Sequence, residues 1–450
     1  MEQQIFDLLE QKNYVEIKRL LQDMKPQDIA LLLEDLKDSQ IPVVFRLLPK
    51  EIAADTFVEM SPDNQELLIN CFTDAELKAV LDDMFLDDTV DVIEEMPANV
   101  VKRILNQSDA QSRQWINEVL KYPKDSAGSL MTMEYVNLKK NWTVKQCFDR
   151  IRKTAVDKET IYTCYVTDGT RKLIGRVSLR TMMLNAYETV IEDIMETNVI
   201  SVDTDADKEF VASQFSKYDL NAIPVVDKEN RIVGIITVDD AMDVMEEEAT
   251  EDISKMAAVT PSDTPYLDQS VWRIWLNRVP WLMLLMISAT FTGLIINTYE
   301  ATLSALSPLL FACIPMLMDT GGNAGSQASV TVIRGLALDE IEFKDLAKVL
   351  WKEIRVSVLL AIALAVVCFG KLLLIDNLIF GYDYTVTLSA LVAVSLLITV
   401  VIAKIVGCLL PLIAKKIKLD PAVVASPFIT TIVDALSLII YCNISVALLS

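Results

Sequence analysis

The sequence predicts a multidomain chain with an all-α superhelical N-domain, an α/β tandem module, an acidic connecting helix and a five-helix α transmembrane domain. Three observations carry this reading. Hydrophobic residues recur at a twelve-residue interval near the N-terminus, two similar β-rich passes follow, and the longest apolar stretches lie after Val271. In a chain of 450 residues that is 52% hydrophobic, such uneven distribution marks separate domains rather than one core. The expected boundaries are 1–128 for the N-domain, 129–190 and 191–246 for the halves of the tandem module, 247–270 for the connecting helix and 271–450 for the membrane domain.

Met24, Leu36, Leu48, Met60, Phe72, Met84 and Met96 set the interval, and turn or cap residues such as Pro26, Asp38, Pro49, Pro62, Asp74 and Pro97 follow them. Each unit fits a helix of two to three turns. Helices that short are marginal alone and are stabilised by stacking on their neighbours, which predicts a helical repeat array.

Charge divides along the same line. The residues before Val271 carry 52 acids against 29 bases, whereas those after it are balanced. Such an acidic body disfavours nucleic acid and anionic lipid as direct ligands and favours cations. The chain has no histidine, and its seven cysteines include no C-x-x-C pair, so any metal site is built from oxygen. Reduced, mostly buried thiols are expected. The first residues lack the basic and apolar regions of a secretory signal, so the N-terminus is expected in the cytosol.

In the second β-rich pass, Ile194-Met195 is followed by Val199-Ile-Ser-Val202, Ile223-Pro-Val-Val-Asp227 and Arg231-Ile-Val-Gly-Ile-Ile-Thr-Val-Asp-Asp240. This order resembles a cystathionine-β-synthase (CBS) motif. The first pass is a looser copy, with Ile161-Tyr-Thr-Cys-Tyr-Val166 and Leu173-Ile-Gly-Arg-Val-Ser-Leu179 in the corresponding places. The resemblance implies that the two fold together as one α/β module.

Hydropathy gives five spans: Val279 to Ile296, Leu303 to about Arg334, Val356 to Ile375, Val386 to Ile413 and Val423 to Leu449. The second is too long for one straight helix, and Pro308, Pro315 and Gly321-Gly322 predict a kink or break. Arg273, Arg278, Arg334, Lys344, Lys348, Lys352, Arg355, Lys415, Lys416 and Lys418 fall on one side, with Lys371 alone on the other. The positive-inside rule then gives a cytosolic N-terminus and an outside C-terminus in the cell membrane.

The second span contains Pro315-Met-Leu-Met-Asp319-Thr-Gly-Gly-Asn323-Ala-Gly-Ser-Gln327, polar where lipid-facing helix should be apolar. A carboxylate at mid-bilayer costs at least about 2.5 to 3.5 kcal/mol, so such a run belongs beside protein or a watery path. Asp319, Asn323, Gln327 and Thr331 recur every four residues and share one helical face. The last span repeats the device with Ser426, Thr430, Asp434, Ser437 and Tyr441. Hydroxyls alone would serve as interhelical glue, but Asp319 and Asp434 favour a cation path. Lys404 offers a partner for either acid or snorkels to the cytosolic edge.

Between Asp239 and Asp252 the chain places eight acids, Asp239, Asp240, Asp243, Glu246, Glu247, Glu248, Glu251 and Asp252, with no base among them. Each close like-charge pair costs about 1 kcal/mol in water and about 4 at an effective dielectric of 20. A solvated face is one reading. A cation that relieves the repulsion is the other, and hard oxygen ligands suit Mg²⁺ or Ca²⁺.

The domain order resembles the MgtE family of bacterial magnesium channels and transporters over essentially the whole chain. The carrying matches are Thr320-Gly-Gly-Asn-Ala-Gly-Ser-Gln327, Asp420-Pro-Ala422 with Pro427-Phe428 and Asp434, Tyr122-Pro123 with Asp125-Ser-Ala-Gly128, and Glu248-Ala-Thr-Glu-Asp252. The resemblance implies a homodimer with its pore between two membrane domains, and Asp434 as the pore ion site beside Gly321, Gly322, Asn323 and Gln327. Asp319 and Thr430 complete the pore set. It also implies regulatory Mg²⁺ at Asp207, Glu209, Asp219, Asp240, Asp243, Glu248, Glu251, Asp252 and Asp420, with Asp87, Asp88 and Asp91 from the N-domain. Gly234, Thr237, Asp240 and Ser178 fit the CBS pattern for ATP, although Thr181 stands where the first copy's acid belongs.

The expected function is Mg²⁺ uptake through a channel that cytosolic Mg²⁺ closes and ATP modulates. The alternatives are a proton- or sodium-coupled carrier and a CBS nucleotide receptor. No Walker A loop, G-x-S-x-G elbow or histidine base supports an enzyme.

Overall fold

Short helices fill the first 119 residues of the computed structural model, which describes residues 2–155, 158–262, 266–267, 269–338, 340–424 and 426–449. Contacts divide the chain into two units, Met1–Met245 and Glu246–Ser450.

Helices α1 (Glu2–Glu10) to α10 (Ala110–Val119) form the start of the first unit. Six of them begin at Lys50, Pro62, Asp74, Leu86, Ala98 and Ala110, the interval the sequence predicts. The repeated residue closes each helix and turns into a shared core: Leu36, Leu48, Met60, Phe72 and Met96 are buried, with Met24 and Met84 packed against them. Local chemistry fixes the starts. Thr73 and Glu76 exchange hydrogen bonds in a capping box, Asp109 accepts two N–H bonds at α10, and Pro26 and Pro62 occupy first helical turns.

After α11 (Ala127–Leu130), the tandem module repeats one topology. The first copy runs β1 (Tyr135–Lys139), α12 (Val144–Thr154), β2 (Thr160–Thr167), β3 (Leu173–Ser178), α13 (Leu179–Leu184). After α14 (Ile191–Ile194), the second runs β4 (Val202–Asp203), α15 (Lys208–Tyr218), β5 (Ala222–Val226), β6 (Ile232–Thr237) and α16 (Val238–Met256). In each sheet the first two strands are parallel and the last two antiparallel. The halves are tied together: Thr132 and Ile235 exchange backbone hydrogen bonds of 2.8 Å, and Leu173 N–H donates to Asn230 O at 3.0 Å.

The acid run lies on α16, whose bounds differ from the expected 247–270. The helix ends at Met256, where Ala258 adopts a left-handed φ of 54° and Val259 N–H reaches back to Ser254 O. This is the geometry of a Schellman-type stop.

The second unit contains α17 (Val271–Leu306), α18 (Leu309–Ala337), α19 (Leu346–Gly370), α20 (Val386–Lys416) and α21 (Ser426–Leu449). Among the described residues, four stretches are long and apolar enough to cross a membrane: Val271–Leu306, Phe343–Asp376, Val386–Lys416 and Pro421–Leu449. The sequence places a second span from Leu303 to Arg334, with Pro308, Pro315 and Gly321-Gly322 predicting a kink or break. The interruption falls at Ser307-Pro308, whereas α18 continues through Pro315 and Gly321-Gly322. Its glycines hold because neighbouring helices pack against their bare backbone. All seven cysteines are free thiols, with only Cys71 exposed.

Candidate functional site

Helix α18 has two contrasting faces. Gly321, Gly322 and Gly325 are buried, whereas Asp319, Asn323, Gln327 and Thr331 are exposed, as their four-residue spacing predicts. A side chain at Gly321 would meet Thr399 Cγ2 at 2.8 Å, and one at Gly407 of α20 would collide with the Gly325 carbonyl. These glycines let α18 and α20 approach closely, which holds the polar face in place. Asn323 Nδ2 donates to Asp319 Oδ1 at 3.2 Å, and the Thr331 hydroxyl donates to Gln327 O at 2.9 Å.

Asp434 and Thr430 of α21 meet the glycine pair. A Cβ on Gly322 would lie 3.1 Å from Thr430 Cγ2 and 3.7 Å from Asp434 Oδ1, so the half-buried carboxylate lies against α18 backbone. The rest of the expected α21 stripe has another role. Ser437 is buried and donates to Val433 O at 2.6 Å, and Tyr441 donates to Leu310 O at 2.9 Å. These two are interhelical and local glue. The side chain of Ser426 lies outside the described residues. Lys404 pairs with neither Asp319 nor Asp434: its buried ammonium lies 3.8 Å from Glu353 Oε2 of α19.

In the first unit, α8 (Leu86–Glu95) brings Asp87, Asp88 and Asp91 near Asp240 at the start of α16. Burial, then Asp240 and Asp88, hold the Asp87 carboxyl well above its ordinary range. Burial followed by Asp240 and Asp55 pushes Asp88 to about 7. Glu159 is pushed to about 8 by burial, Asp240 and Asp88, and its Oε2 is buried without a hydrogen-bond partner. Asp240 is itself raised by burial, against the Thr237 hydroxyl and N–H that donate to it at 2.6 and 3.1 Å. Sequence reasoning chose Asp87, Asp88, Asp91 and Asp240 but missed Glu159 and Asp55, which carry no local signal.

Among the described residues, no three Asp, Glu or Cys side chains stand close enough to hold a bare ion. Mg²⁺ keeps several waters and uses one or two carboxylates, so an open acidic group suits its hydrated form. Asp207 and Asp219 do not converge. Asp207 caps the start of α15 by accepting from Glu209 N–H, and Asp219, at φ 50°, closes the other end about 16 Å away. Asp243 is exposed and Glu248 half-buried on α16.

The second unit gathers Glu251, Asp252 and Asp420 around Lys255. The ammonium lies 2.6 Å from Glu251 Oε1 and 2.7 Å from Asp420 Oδ2. Burial and then Asp420 raise the Asp252 carboxyl, while Lys255 lowers it. The acid run therefore has a basic partner one turn beyond its end, where the sequence reading found none.

The expected nucleotide residues are occupied locally. Met131 Sδ and Thr132 O stand 2.7 Å from the Cβ position of Gly234, Asp240 faces the acidic group, and Ser178 accepts from Thr181 N–H at 3.0 Å as the cap of α13.

The "Magnesium transporter MgtE" of Thermus thermophilus is 36% identical to this chain over 437 residues, covering 96% of the chain and 95% of the relative. The chain belongs to the MgtE family. The Bacillus subtilis magnesium transporter MgtE is 31% identical over 98% of the chain and 96% of its own length. Family models agree: the MgtE intracellular N domain matches residues 24–125, a CBS domain 191–247 and the MgtE divalent cation transporter 314–444. A crystal structure of the cytosolic domain of the Mg²⁺ channel MgtE in complex with ATP matches at TM-score 0.52 and 34% identity, covering 54% of this chain and all of that one. MgtE is a family of transporters rather than enzymes.

Proposed function

We propose that this MgtE protein carries Mg²⁺ across the cell membrane as a homodimeric channel, N-terminus in the cytosol. The supporting observation is the uncovered stripe of Asp319, Asn323, Gln327 and Thr331 on α18, within a unit whose other long helices are apolar. Lipid is a poor cover for a carboxylate and two amides. A second copy presenting the same stripe supplies a polar, water-filled seam instead. Asp434, set against Gly322, is the ion-binding carboxylate there, with Thr430, Gly321 and Asn323 shaping the wall and Gln327 continuing it.

Cytosolic Mg²⁺ closes the channel by binding the acidic groups of the N-domain, CBS module and connecting helix. Asp87, Asp88, Asp91 and Asp240 form one group, with Asp243 further along α16. Glu248, Glu251, Asp252 and Asp420 form another, where Lys255 already neutralises part of the charge. Asp207, Glu209 and Asp219 contribute to separate sites. Moving the gate from 1:99 to 99:1 needs about 5.5 kcal/mol of differential binding, more than one weak site supplies. Several weak sites acting together reach it. ATP modulates the response.

Mg²⁺ flux into liposomes tests the pore. Uptake should persist without a proton or sodium gradient and vanish in Asp434→Ala. Flux that stops when the gradient is removed would replace the channel with a coupled carrier.

A further inference from the structure

The first unit contains one cleft of opposite charge to its surroundings. Arg150 of α12, Lys158 just after it and Arg171 in the β2–β3 turn line a cavity of about 240 Å³, together with Trp115, Tyr135 and Asn137. The residues before Val271 carry 52 acids against 29 bases, yet among the described residues no carboxylate lies within ion-pairing distance of these three cations. Nearby acids are engaged elsewhere. Asp168 accepts from Thr170 N–H, the Thr170 hydroxyl and Lys172 N–H. Glu134 accepts from Leu86 N–H, and Glu159 belongs to the group around Asp240.

The main chain beside two of the cations is fixed, and the Arg171 side chain meets the Tyr135 hydroxyl. Arg171 adopts a left-handed φ of 67°, its N–H donates to Asp168 O, and its carbonyl accepts from Ile232 N–H at 3.2 Å. Lys158 is fixed beside Glu159, whose N–H donates to Glu134 O at 2.9 Å. Tyr135, buried beneath, donates its hydroxyl to Ile232 O at 3.3 Å. The volume falls below the roughly 300–1,000 Å³ of pockets for drug-sized ligands, so the occupant is compact. Two guanidinium forks and an ammonium match phosphate oxygens in number and geometry.

We propose that this cleft binds a compact phosphorylated anion, with its phosphate groups among Arg150, Lys158 and Arg171. This separates anion binding from the Thr237–Asp240 pair, whose acidic neighbours repel a polyanion. The site does not depend on the transport reading.

The test is calorimetric titration of the full-length protein in detergent with inorganic pyrophosphate, in EDTA so that no divalent cation bridges the acids. Wild type should give saturable binding that weakens with salt. The double variant of exposed Arg150→Ala with half-buried Lys158→Ala should weaken it by about tenfold or more, and Arg150→Lys should stay within about threefold of wild type. Absence of saturable heat in wild type overturns the proposal, as does a double variant that binds like wild type. No cation flux enters the measurement, so its failure leaves the channel reading standing.

Discussion

Replacing Lys255 with methionine keeps the aliphatic stem and removes the ammonium from among Glu251, Asp252 and Asp420. In the wild type that ammonium makes contacts of 2.6 and 2.7 Å with side chains that are 38% and 34% exposed, its own being 22% exposed. At such exposure each pair is worth about 0.2 to 1 kcal/mol, so two pairs give about 0.5 to 2 kcal/mol. A divalent cation arriving at these acids competes with the lysine and forfeits that energy. Without the lysine the forfeit disappears and three carboxylates are left to repel one another. Half-inhibition by cytosolic Mg²⁺ should then shift to lower concentration by about two- to thirtyfold, since about 1.4 kcal/mol is a factor of ten. Single-channel recording with cytosolic Mg²⁺ varied measures this directly. An unchanged midpoint, or one shifted upward, would refute the idea that Lys255 and Mg²⁺ compete for one group of acids.

Neutralising Glu248, Glu251 and Asp252 together should leave flux intact but raise the Mg²⁺ concentration needed to inhibit it; unaltered inhibition would make these acids plain solvated surface. Gly407→Ala places a methyl group against the Gly325 carbonyl, and overpacking of this kind costs about 1 to 3 kcal/mol or more, so the thermal midpoint should fall, with a wild-type midpoint contradicting the close α18–α20 approach. In EDTA the acidic group of the first unit should make stability pH-dependent. Asp88 at about 7 and Glu159 at about 8 lie above their ordinary 3.8 and 4.5, so the folded state binds more protons. Their most favourable contribution is present near pH 4 and is lost as pH rises through 7 to 8. Thermal melting should show that decline, and added Mg²⁺ should reverse it; a flat profile would mean that neither burial nor mutual repulsion raises these carboxyls.

Periodicity carried the fold. The twelve-residue interval located helix starts from Lys50 to Ala110 because each short helix buries the same position in a common core. The looser CBS copy was legible because strand order depends on apolar runs that survive substitution. The four-residue polar spacing on α18 likewise named the exposed face correctly. Of the three positions that predicted a break, Pro308 interrupts the span and Gly321-Gly322 do not, because whether glycines interrupt a helix depends on what packs against them, here Thr399, Thr430, Ile429 and Val433. Nor could spacing separate Asp434 from Ser437 and Tyr441, which differ in their neighbours rather than in their interval.

The sequence by itself determined the domain order, the apolar helices, the polar stripe and the excess of acids, since these follow from local composition and helical period. Tertiary structure alone decided which charges meet. Lys404 joined Glu353 rather than an aspartate, Lys255 reached Asp420 across the chain, and Glu159 joined Asp88 and Asp240. Charge interaction falls with distance through space, and residues remote in the chain become neighbours only when the core brings their elements together.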